Sequence, residues 1–582
     1  MSLLRITFFP LAFVAACFCL QAQTSGPPER LHSTATPGWP GGRLSIATRA
    51  EPKTFNPVIA IDQPSILIFR RMMADLIHIN RSTLKTEPAL AKSWTVSADG
   101  RQFTLELRKG LKFSDGVPFD ADDVVFSFKV YEDEKVQAPQ RSLLMVAGQP
   151  IRAEKINAWR VRFFLASPYA AAERVFDSIA MLPRHLLEKD YAEGRMAQAW
   201  GLNTPPEKIA GLGPFRLKKF VPGERTILER NPYYWKVDAK GQQLPYLEEL
   251  TFLFVPSQDA EVVRFRAGDT QITGSLSAET FNALLKDQSE AGLKLVDAGP
   301  GLEYNFLLFN LNSDTEGRFP EVVRHQKWFS DVRFRQAVSA AVDRDAIVRL
   351  VYQGRASALA THVTSALKLW INPAIPAPTR SLERARQLLK SAGFSWDREG
   401  ALTDASGQKV EFSILVSSSN GQRSQMAALV QEDLRHLGMK VSVASMEFRA
   451  MLDRVSESHN FDTAIMGFNS GDADPNPAMD VWMSKGKTHF WRMNENPAAN
   501  TWQAELDSLL EKQLVTMNYQ QRKKLYDRVQ QIAAEQLPII CLASPHVLVG
   551  ARQGLGNFQP AILDHYTLWN VDELFWPPPG GK

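Results

Sequence analysis

The sequence has little cysteine, with only three cysteines among its 582 residues. Cys17 and Cys19 lie in an apolar N-terminal run, so we expect only Cys541 to remain once that run is removed. One cysteine cannot build an internal disulfide scaffold or a cysteine-ligated metal cluster. Cys541 lies in the apolar segment 538–542, which predicts a buried structural cysteine and not a nucleophile.

The chain also lacks an excess of either charge. It has 67 Lys and Arg against 63 Asp and Glu, a formal net charge of +4. A dedicated nucleic-acid-binding protein carries a basic excess for phosphate contacts, so no nucleic-acid partner is expected. With 44% hydrophobic and 22% charged residues, the composition is typical of a globular protein. The length corresponds to about three or four domains.

Long hydrophobic runs are absent beyond the N-terminus. The segment 6–20 is apolar, follows the basic Arg5 and precedes the small residue Ala22, which predicts a secretory signal peptide over residues 1–22. A membrane anchor is the alternative, but the run is short for a span. Residues 14–17 resemble a lipobox ending at Cys17, so a lipoprotein and a free soluble protein both stay open. We expect the mature chain in the periplasm or cell envelope.

Strand and helix patterns alternate along the mature chain. Residues 102–112, 160–166 and 409–417 alternate apolar and polar side chains, which predicts half-buried strands. Apolar residues at helical spacing predict helices, in the order 332–352, 381–392, 422–437 and 518–538. The mixture predicts an α/β protein.

Motifs for catalysis or metal binding fail at their spacing. Gly486-Lys487-Thr488 would need a glycine at position 481, where valine stands. The acidic run beginning at Asp472 lacks the glycine and glutamate of a calcium loop. No pair of histidines has the spacing of a zinc site. We therefore expect a protein that is not an enzyme and has no catalytic residue, cofactor or metal.

Several short motifs recur along the chain in a characteristic order. Together they resemble the bacterial solute-binding proteins of the peptide/nickel group, family 5, which serve ABC importers, and the resemblance extends over about residues 43–575. The motifs are Glu51-Pro52-Lys53-Thr54-Phe55-Asn56-Pro57, Pro88-Ala89-Leu90-Ala91-Lys92-Ser93-Trp94, Lys112-Phe113-Ser114-Asp115-Gly116, Gly211-Leu212-Gly213-Pro214-Phe215, Arg230-Asn231-Pro232-Tyr233-Tyr234-Trp235 and Asp331-Val332-Arg333-Phe334-Arg335-Gln336-Ala337-Val338.

The resemblance implies a periplasmic-binding-protein-like fold of two lobes and three domains, with a ligand cleft between the lobes. Crossovers near residues 299–301 and 498–501 would connect the lobes. The expected division is a signal peptide at 1–22, a flexible lead-in at 23–42, a main domain of lobe 1 at 43–76, 210–300 and 520–576, its inserted domain at 77–209, and lobe 2 at 301–519.

The implied function is the capture of peptides in the periplasm and their delivery to a membrane permease by closure of the lobes. The expected partners are a small peptide ligand and the ABC permease subunits, with the binding protein itself a monomer. The same fold with another cargo (nickel chelate, sugar, haem or opine) is the main alternative. A peptide sensor or chaperone and an envelope hydrolase are further alternatives.

A peptide receptor needs a carboxylate for the charged amine of its ligand, because that group is expensive to desolvate unpaired. In peptide-binding relatives an Asp follows a Gly-Trp pair, and the matching segment here begins at Gly467. Asp472 is the first candidate and Asp474 the second, although both residue types also serve in turns. Four residues complete the hypothesis as possible cleft walls, with core packing or a strand edge as the alternative: Phe468, Trp482, Tyr304 and Asn305.

Overall fold

The computed structural model describes residues 27–274, 276–313, 318–376, 378–493, 497, 501–563 and 566–578. The predicted signal peptide 1–22, with Cys17, lies outside this part of the chain. Of the expected crossover 498–501, only Thr501 is described. No helix in these ranges has the length and apolar character needed to cross a membrane.

Helices occur along the whole described chain. They are α1 Gln63–Met72, α2 Ala121–Glu132, α3 Ala172–Val175, α4 Arg184–Ala192, α5 Gln258–Ala267, α6 Ala278–Asp287, α7 Pro320–Ser330, α8 Val332–Ala341, α9 Arg344–Ala346, α10 Leu382–Ser391, α11 Gly421–Arg435, α12 Phe448–Asp453, α13 Met479–Trp482, α14 Trp502–Val515 and α15 Tyr519–Gln536. The predicted starts of α10 and α15 are confirmed, since Ser381 and Asn518 cap them with their side chains.

The helix predicted over 332–352 is interrupted. It ends at Ala341, and α9 begins three residues later, at Arg344, because the Asp343 side chain accepts a hydrogen bond from the Ala346 backbone N–H at 2.8 Å. Arg344 then turns inward and donates to the carbonyl oxygens of Cys541 and Ser339 at 2.8 and 2.9 Å. The apolar spacing predicted one continuous helix because buried apolar residues occur on both sides of the break, Val338 before it and Ile347 and Val351 after it.

Strands also extend from end to end. They are β1 Leu31–His32, β2 Arg43–Thr48, β3 Ile77–Ile79, β4 Thr86–Pro88, β5 Ala91–Val96, β6 Gln102–Leu107, β7 Met145–Val146, β8 Gln149–Pro150, β9 Arg152–Asn157, β10 Arg160–Phe164, β11 Phe215–Val221, β12 Arg225–Arg230, β13 Lys236–Val237, β14 Glu249–Phe254, β15 Ile272–Thr273, β16 Leu293–Pro300, β17 Glu303–Phe309, β18 Ala356–Ala358, β19 Ser395–Trp396, β20 Leu402–Thr403, β21 Glu411–Ser417, β22 Lys440–Met446, β23 Thr463–Asn469 and β24 Ile539–Arg552. The predicted strands at 102, 160 and 409 correspond to β6, β10 and β21.

One sheet of 12 strands connects the two lobes, in the order β11-β12-β14-β2-β15-β24-β17-β23-β21-β22, with β16 and β18 also paired to β24. The 14-residue strand β24 is shared by both lobes. Its residues 539–545 pair with β17 and β18, and residues 546–552 pair with β15 and β16. Cys541 lies in its first half and is buried as predicted, which raises the pKa of its thiol to about 12.

The apolar core is divided between the lobes. The largest two of three clusters of buried side chains draw almost entirely on residues 44–272 with 547–575, and on residues 302–543. A third, small cluster joins residues 265–293 to Leu548. Helix α15 packs in the second cluster through Tyr526, Val529 and Ile532. We therefore propose a lobe boundary inside β24, and not at residue 520 as the sequence suggested.

A separate four-stranded antiparallel sheet, β5-β6-β10-β9, lies within the segment 77–209. Helix α2 covers it and brings Phe128 to 4.6 Å from Phe163, measured between ring centroids. Phe103 and Phe176 pack on the same group. Such tilted aromatic contacts stabilise beyond the area that they bury. These side chains belong to the same buried cluster as residues of the main sheet such as Leu44 and Leu250, so the segment 77–209 shares its core with the rest of lobe 1.

The expected flexible lead-in is instead docked wherever it is described. Strand β1 pairs in parallel with β13, and Glu29 lies 2.9 Å from the Lys92 ammonium. The Trp39 ring packs edge-on against Phe575 at 5.3 Å between centroids. Lack of periodicity predicted a flexible lead-in, but these three contacts are with residues distant in sequence, so the local pattern could not indicate them.

The motif Gly211-Leu212-Gly213 has a steric cause. A Cβ on Gly211 would lie 2.1 Å from the Met72 carbonyl oxygen, and one on Gly213 would lie 2.5 Å from the Met72 carbonyl carbon. The Gly213 N–H donates to that same oxygen at 2.8 Å. Only glycine permits this approach, which holds the C-terminal end of α1 against the strand that follows the inserted domain.

We predict that His362 makes stability depend on pH. It is 2% exposed, and burial lowers the pKa of its imidazole to about 3. In the unfolded chain His362 binds a proton below about pH 6.5, whereas in the folded protein it stays neutral at that pH. The free energy of unfolding therefore decreases as the pH falls below about 6.5. At pH 5 this loss amounts to about 2 kcal/mol.

Urea unfolding of the wild type and His362→Gln at pH 7 and pH 5 would measure this contribution. The gap in unfolding free energy between the two proteins should shift by about 2 kcal/mol in favour of the variant at pH 5. His436→Gln is the control, because the His436 side chain is 44% exposed. Equal shifts for both variants would contradict the assignment.

Candidate functional site

A cleft of about 860 Å³ separates the two lobes. Lobe 1 contributes one face of α1 and several loops of the inserted domain, and lobe 2 contributes the loop after β23 and parts of α13 and α14. Its polar and charged wall residues are Gln63, Arg70, Arg81, Ser142, Ser167, Tyr169, Arg174, Asp177, Ser178, Ser470, Asp472, Asp474, Asn476, Lys485 and Glu511. Apolar residues such as Ile66, Leu143, Val175, Met479 and Leu514 provide the remaining wall.

Asp472 reaches across the cleft from lobe 2 to Arg174 of the inserted domain. The Arg174 guanidinium donates from Nε to Oδ2 at 2.6 Å and from Nη2 to Oδ1. Burial alone would lower the pKa of Arg174, but its hydrogen bond and charge interaction with Asp472 raise that pKa above its usual value. Asp472 also accepts a hydrogen bond from the Ala473 N–H at 2.6 Å. The same carboxylate therefore stabilises its own turn and faces the cleft.

Two further contacts join the lobes beside this ion pair. The Asn476 amide donates to the Tyr169 hydroxyl at 3.0 Å, and the Ala170 N–H donates to the Leu514 carbonyl oxygen at 2.8 Å. Burial raises the pKa of Tyr169, which keeps the phenol protonated. The inserted domain therefore forms the wall that faces lobe 2.

Asp474 has a different environment from Asp472. Its side chain is 5% exposed, and both carboxylate oxygens accept from Arg522, at 2.7 and 2.8 Å. It also accepts from the Asn476 N–H at 3.0 Å. Three of its acceptor positions are thus used within lobe 2, so we expect Asp474 to position the loop against α15 and not to bind a ligand amine.

The other four candidates do not line the described cleft. Tyr304 and Asn305 lie in β17, which has partners on both sides, and their exposures are 2% and 1%. Phe468 packs on Phe306 at 5.1 Å, and Trp482 packs on His362 at 4.4 Å. Trp482 is a core residue at 1% exposure, and Phe468 is partly buried against the same core cluster, whereas the sequence suggested ligand walls for both.

The chain matches a family model over residues 85–490, described as bacterial extracellular solute-binding proteins, family 5 middle. The chain belongs to this family. Among its relatives, a probable ABC transporter-binding protein of Deinococcus radiodurans is 27% identical over 529 residues, with 87% of each chain covered. The oligopeptide-binding protein AppA of Bacillus subtilis is 25% identical over 577 residues, with 96% of each covered.

The fold is also similar to solved structures. NikA from Brucella suis, in complex with Fe(III)-EDTA, matches with a TM-score of 0.74 at 21% identity, over 92% of this chain and 100% of that one. The two-lobed, mixed α/β architecture predicted from the motifs is thereby confirmed.

The sequence predicted none of the residues that line the cleft from lobe 1. Arg174 lies in the four-residue helix α3, and Arg81 contacts Asp177 96 residues further on, at 2.8 Å on each oxygen. Charge interaction with Arg81 and hydrogen bonds from His78 hold the pKa of Asp177 well below its usual range, against the opposing effect of burial. No local pattern marks these residues, because their partners are set by tertiary contacts alone.

A Ser–His–Asp chain lies at the lobe crossover, outside the described cleft walls. Ser357 Oγ lies 3.0 Å from His546 Nε2, and His546 Nδ1 lies 2.9 Å from Asp297 Oδ1. Arg355 also donates to Asp297 at 3.1 Å. These contacts join β16 and β18 to β24, so the arrangement links the strands that cross between lobes.

We predict that Asp474→Ala destabilises the fold. Removing this carboxylate leaves the Arg522 guanidinium, itself 4% exposed, buried without its ion-pair partner. Loss of one member of a buried pair costs about 3–5 kcal/mol. Urea unfolding at pH 7 would measure the change.

Glu432→Ala is the matched control for Asp474→Ala. Glu432 pairs with Arg435 while both side chains are more than half exposed, at 51% and 66%. Exposed pairs contribute less than about 1 kcal/mol. Losses of similar size in the two variants would show that Asp474 is not part of a strong buried pair.

Proposed function

We propose that this protein is the substrate-binding component of an ABC importer and captures short peptides in the bacterial periplasm. The observation that carries the proposal is the ion pair between Asp472 and Arg174, which lies across the interlobe cleft and offers one charge of each sign. Family membership and the 25% identity with an oligopeptide-binding protein support it.

A zwitterionic peptide matches this pair. Its ammonium group can replace Arg174 on the Asp472 carboxylate, and its carboxylate can replace Asp472 on Arg174. Each charge then exchanges one partner for another, so neither is left buried and unpaired. Both residues are accessible from the cleft, with side-chain exposures of 26% for Asp472 and 13% for Arg174.

The dimensions of the cleft agree with a short peptide. Small-ligand sites typically enclose about 300–1,000 Å³, and this cleft encloses about 860 Å³. The polar walls, with Gln63, Ser142 and Asn476 among them, offer side-chain groups that can bond a ligand backbone directly or through water. Such contacts suit many side-chain sequences.

Delivery would depend on a membrane permease that contacts both lobes of the closed protein. In this proposal the protein works as a monomer and has no chemistry of its own. Export would follow from the signal peptide at residues 1–22, and lipidation at Cys17 would tether the protein to the membrane.

We predict that Asp472→Asn weakens peptide binding by about 30- to 4,000-fold, because a desolvated charge partner contributes about 2–5 kcal/mol. Calorimetric titration with a short peptide and with its N-acetylated form tests the partner directly. The wild type should prefer the free amine strongly, and Asp472→Asn should bind both forms alike.

Asp480→Asn is the matched control, since Asp480 is exposed and does not line the described cleft. Arg174→Gln should in turn abolish the preference for a free carboxylate over a C-terminal amide. If Asp472→Asn keeps the full preference for the free amine, Asp472 does not hold that group and the assignment is overturned.

The cargo itself is tested by native mass spectrometry of the purified protein, with identification of the molecules released on denaturation. Short peptides would support the proposal. A single non-peptide mass would overturn the peptide assignment and leave the family unchanged. A metal chelate should also be tested by calorimetric titration, because the chain shares its fold with a protein solved in complex with Fe(III)-EDTA.

A further inference from the structure

A second, smaller cavity of about 120 Å³ lies inside lobe 1. It is enclosed by the C-terminal end of α1, by the start of the inserted domain, by residues 213–236 and by residues 568–572. Arg70, Arg81 and Ser178 line both this cavity and the interlobe cleft, so the two spaces adjoin. The charged side chains of its wall are Arg70, Arg71, Asp75, Arg81, Glu87, Lys236 and Asp572, with His78 beside them.

Most of these charged groups have partners in the described part of the chain. Arg81 forms its two-pronged pair with Asp177. Lys236 lies 3.1 Å from Asp572 and 2.8 Å from Glu573, and charge interactions with the two acids raise the pKa of its ammonium despite burial.

Arg71 is different. It is 5% exposed, and its buried Nε and Nη2 atoms have no hydrogen-bond partner in the described ranges. Arg174 uses the equivalent two atoms to bind Asp472. In Arg71 they have almost no accessible surface, so an anion in the cavity reaches them only when the Arg71 side chain turns toward it. Burial lowers the pKa of Arg71 to about 9, and the neighbouring charges of Arg70 and Arg81 act in the same direction.

A buried guanidinium without an anion is strongly unfavourable. Arg71 lies in the last turn of α1, where the partial negative charge of the helix end attracts cations. Asp572 also acts on it at a distance. Neither replaces a hydrogen-bonded counter-ion, because Asp572 already bonds Lys236 and Tyr234.

We propose that this cavity binds a small oxyanion, a carboxylate or a phosphate, through the guanidinium of Arg71. Two oxygens of such an anion match the paired donors of a guanidinium. The space is sufficient, since one water needs about 10–15 Å³ and the cavity offers about 120 Å³. This site is separate from the Asp472–Arg174 pair and goes beyond the proposed function.

A metal ion is the competing occupant. Asp75, His78 and Asp177 bring ligand atoms within 4.8 Å of one another. However, both Asp177 oxygens accept from Arg81, and the neighbouring Arg70 and Arg71 repel a cation. The unpartnered guanidinium edge of Arg71 therefore favours an anion over a cation.

The oxyanion has two possible sources. It is either a free ion that enters from solvent or an acidic group of the ligand that extends from the cleft past Arg70 and Arg81. Titrations of the full mature protein with sodium phosphate and sodium acetate, at constant ionic strength and without peptide, test the first source. Tripeptides that differ only by Glu against Gln test the second.

The comparison is wild type against Arg71→Gln, with the exposed Arg101→Gln as the matched control. Arg71→Gln should weaken phosphate or acetate binding at least tenfold, or remove the preference for Glu over Gln by the same factor. It should also unfold at an equal or higher temperature than the anion-free wild type, because it removes an uncompensated charge. A purely structural arginine would instead lower the unfolding temperature.

If Arg71→Gln leaves phosphate binding, acetate binding and the Glu preference unchanged, the proposal is overturned. Should that variant fail to fold, a wild-type crystal soaked in selenate decides: anomalous density within hydrogen-bond distance of Arg71 supports the site, and its absence overturns it. Affinity for a neutral peptide is measured in parallel. The effect of Asp472→Asn on this affinity tests the peptide proposal, and the effect of Arg71→Gln on anion binding tests the oxyanion site. Either proposal can therefore fail while the other holds.

Discussion

The structure depends on one shared strand. Strand β24 pairs with β17 and β18 over its first half and with β15 and β16 over its second. Because its residues belong to both cores, the lobes cannot separate without breaking a continuous set of backbone hydrogen bonds. At the crossover beside this strand, Gly299 has φ +84° and Asp297 bonds His546 and Arg355.

Charge pairing determines which residues of the cleft are available to a ligand. Asp474 and Arg522 are nearly inaccessible and satisfy each other, so their contribution is structural. Asp472 and Arg174 are also paired, but they retain exposed surface and come from opposite lobes. An internal pair of this kind satisfies both charges, and in the proposed function it is exchanged for the two ends of a zwitterion. Two aspartates only two residues apart thus differ in role because of their partners.

Local sequence patterns predicted the elements well and the site only in part. Capping residues such as Ser381 and Asn518 act over three residues, so their helices could be located from sequence. The loop after β23 was found through the family motif. The opposite wall was not, since Arg174 is separated from Asp472 by 298 residues. Tyr304 and Phe468 are not among the residues that line the described cleft, and the sequence could not indicate this, because a strand residue has the same local pattern whether it faces a cleft or a helix.

Two arginines of lobe 1 differ in whether the Nε–Nη2 edge of the guanidinium has a hydrogen-bond acceptor. Arg174 stands at the cleft wall and uses its Nε–Nη2 edge on a carboxylate of the other lobe. Arg71 is buried behind that wall, and the same edge has no partner in the described chain. In the proposed function a ligand carboxylate replaces Asp472 on Arg174, so the guanidinium is paired both before and after binding. An anion at Arg71 would instead remove a deficit, because burial there has already lowered the pKa of the guanidinium. Occupancy of the inner cavity should therefore stabilise lobe 1 whether or not the cleft is filled.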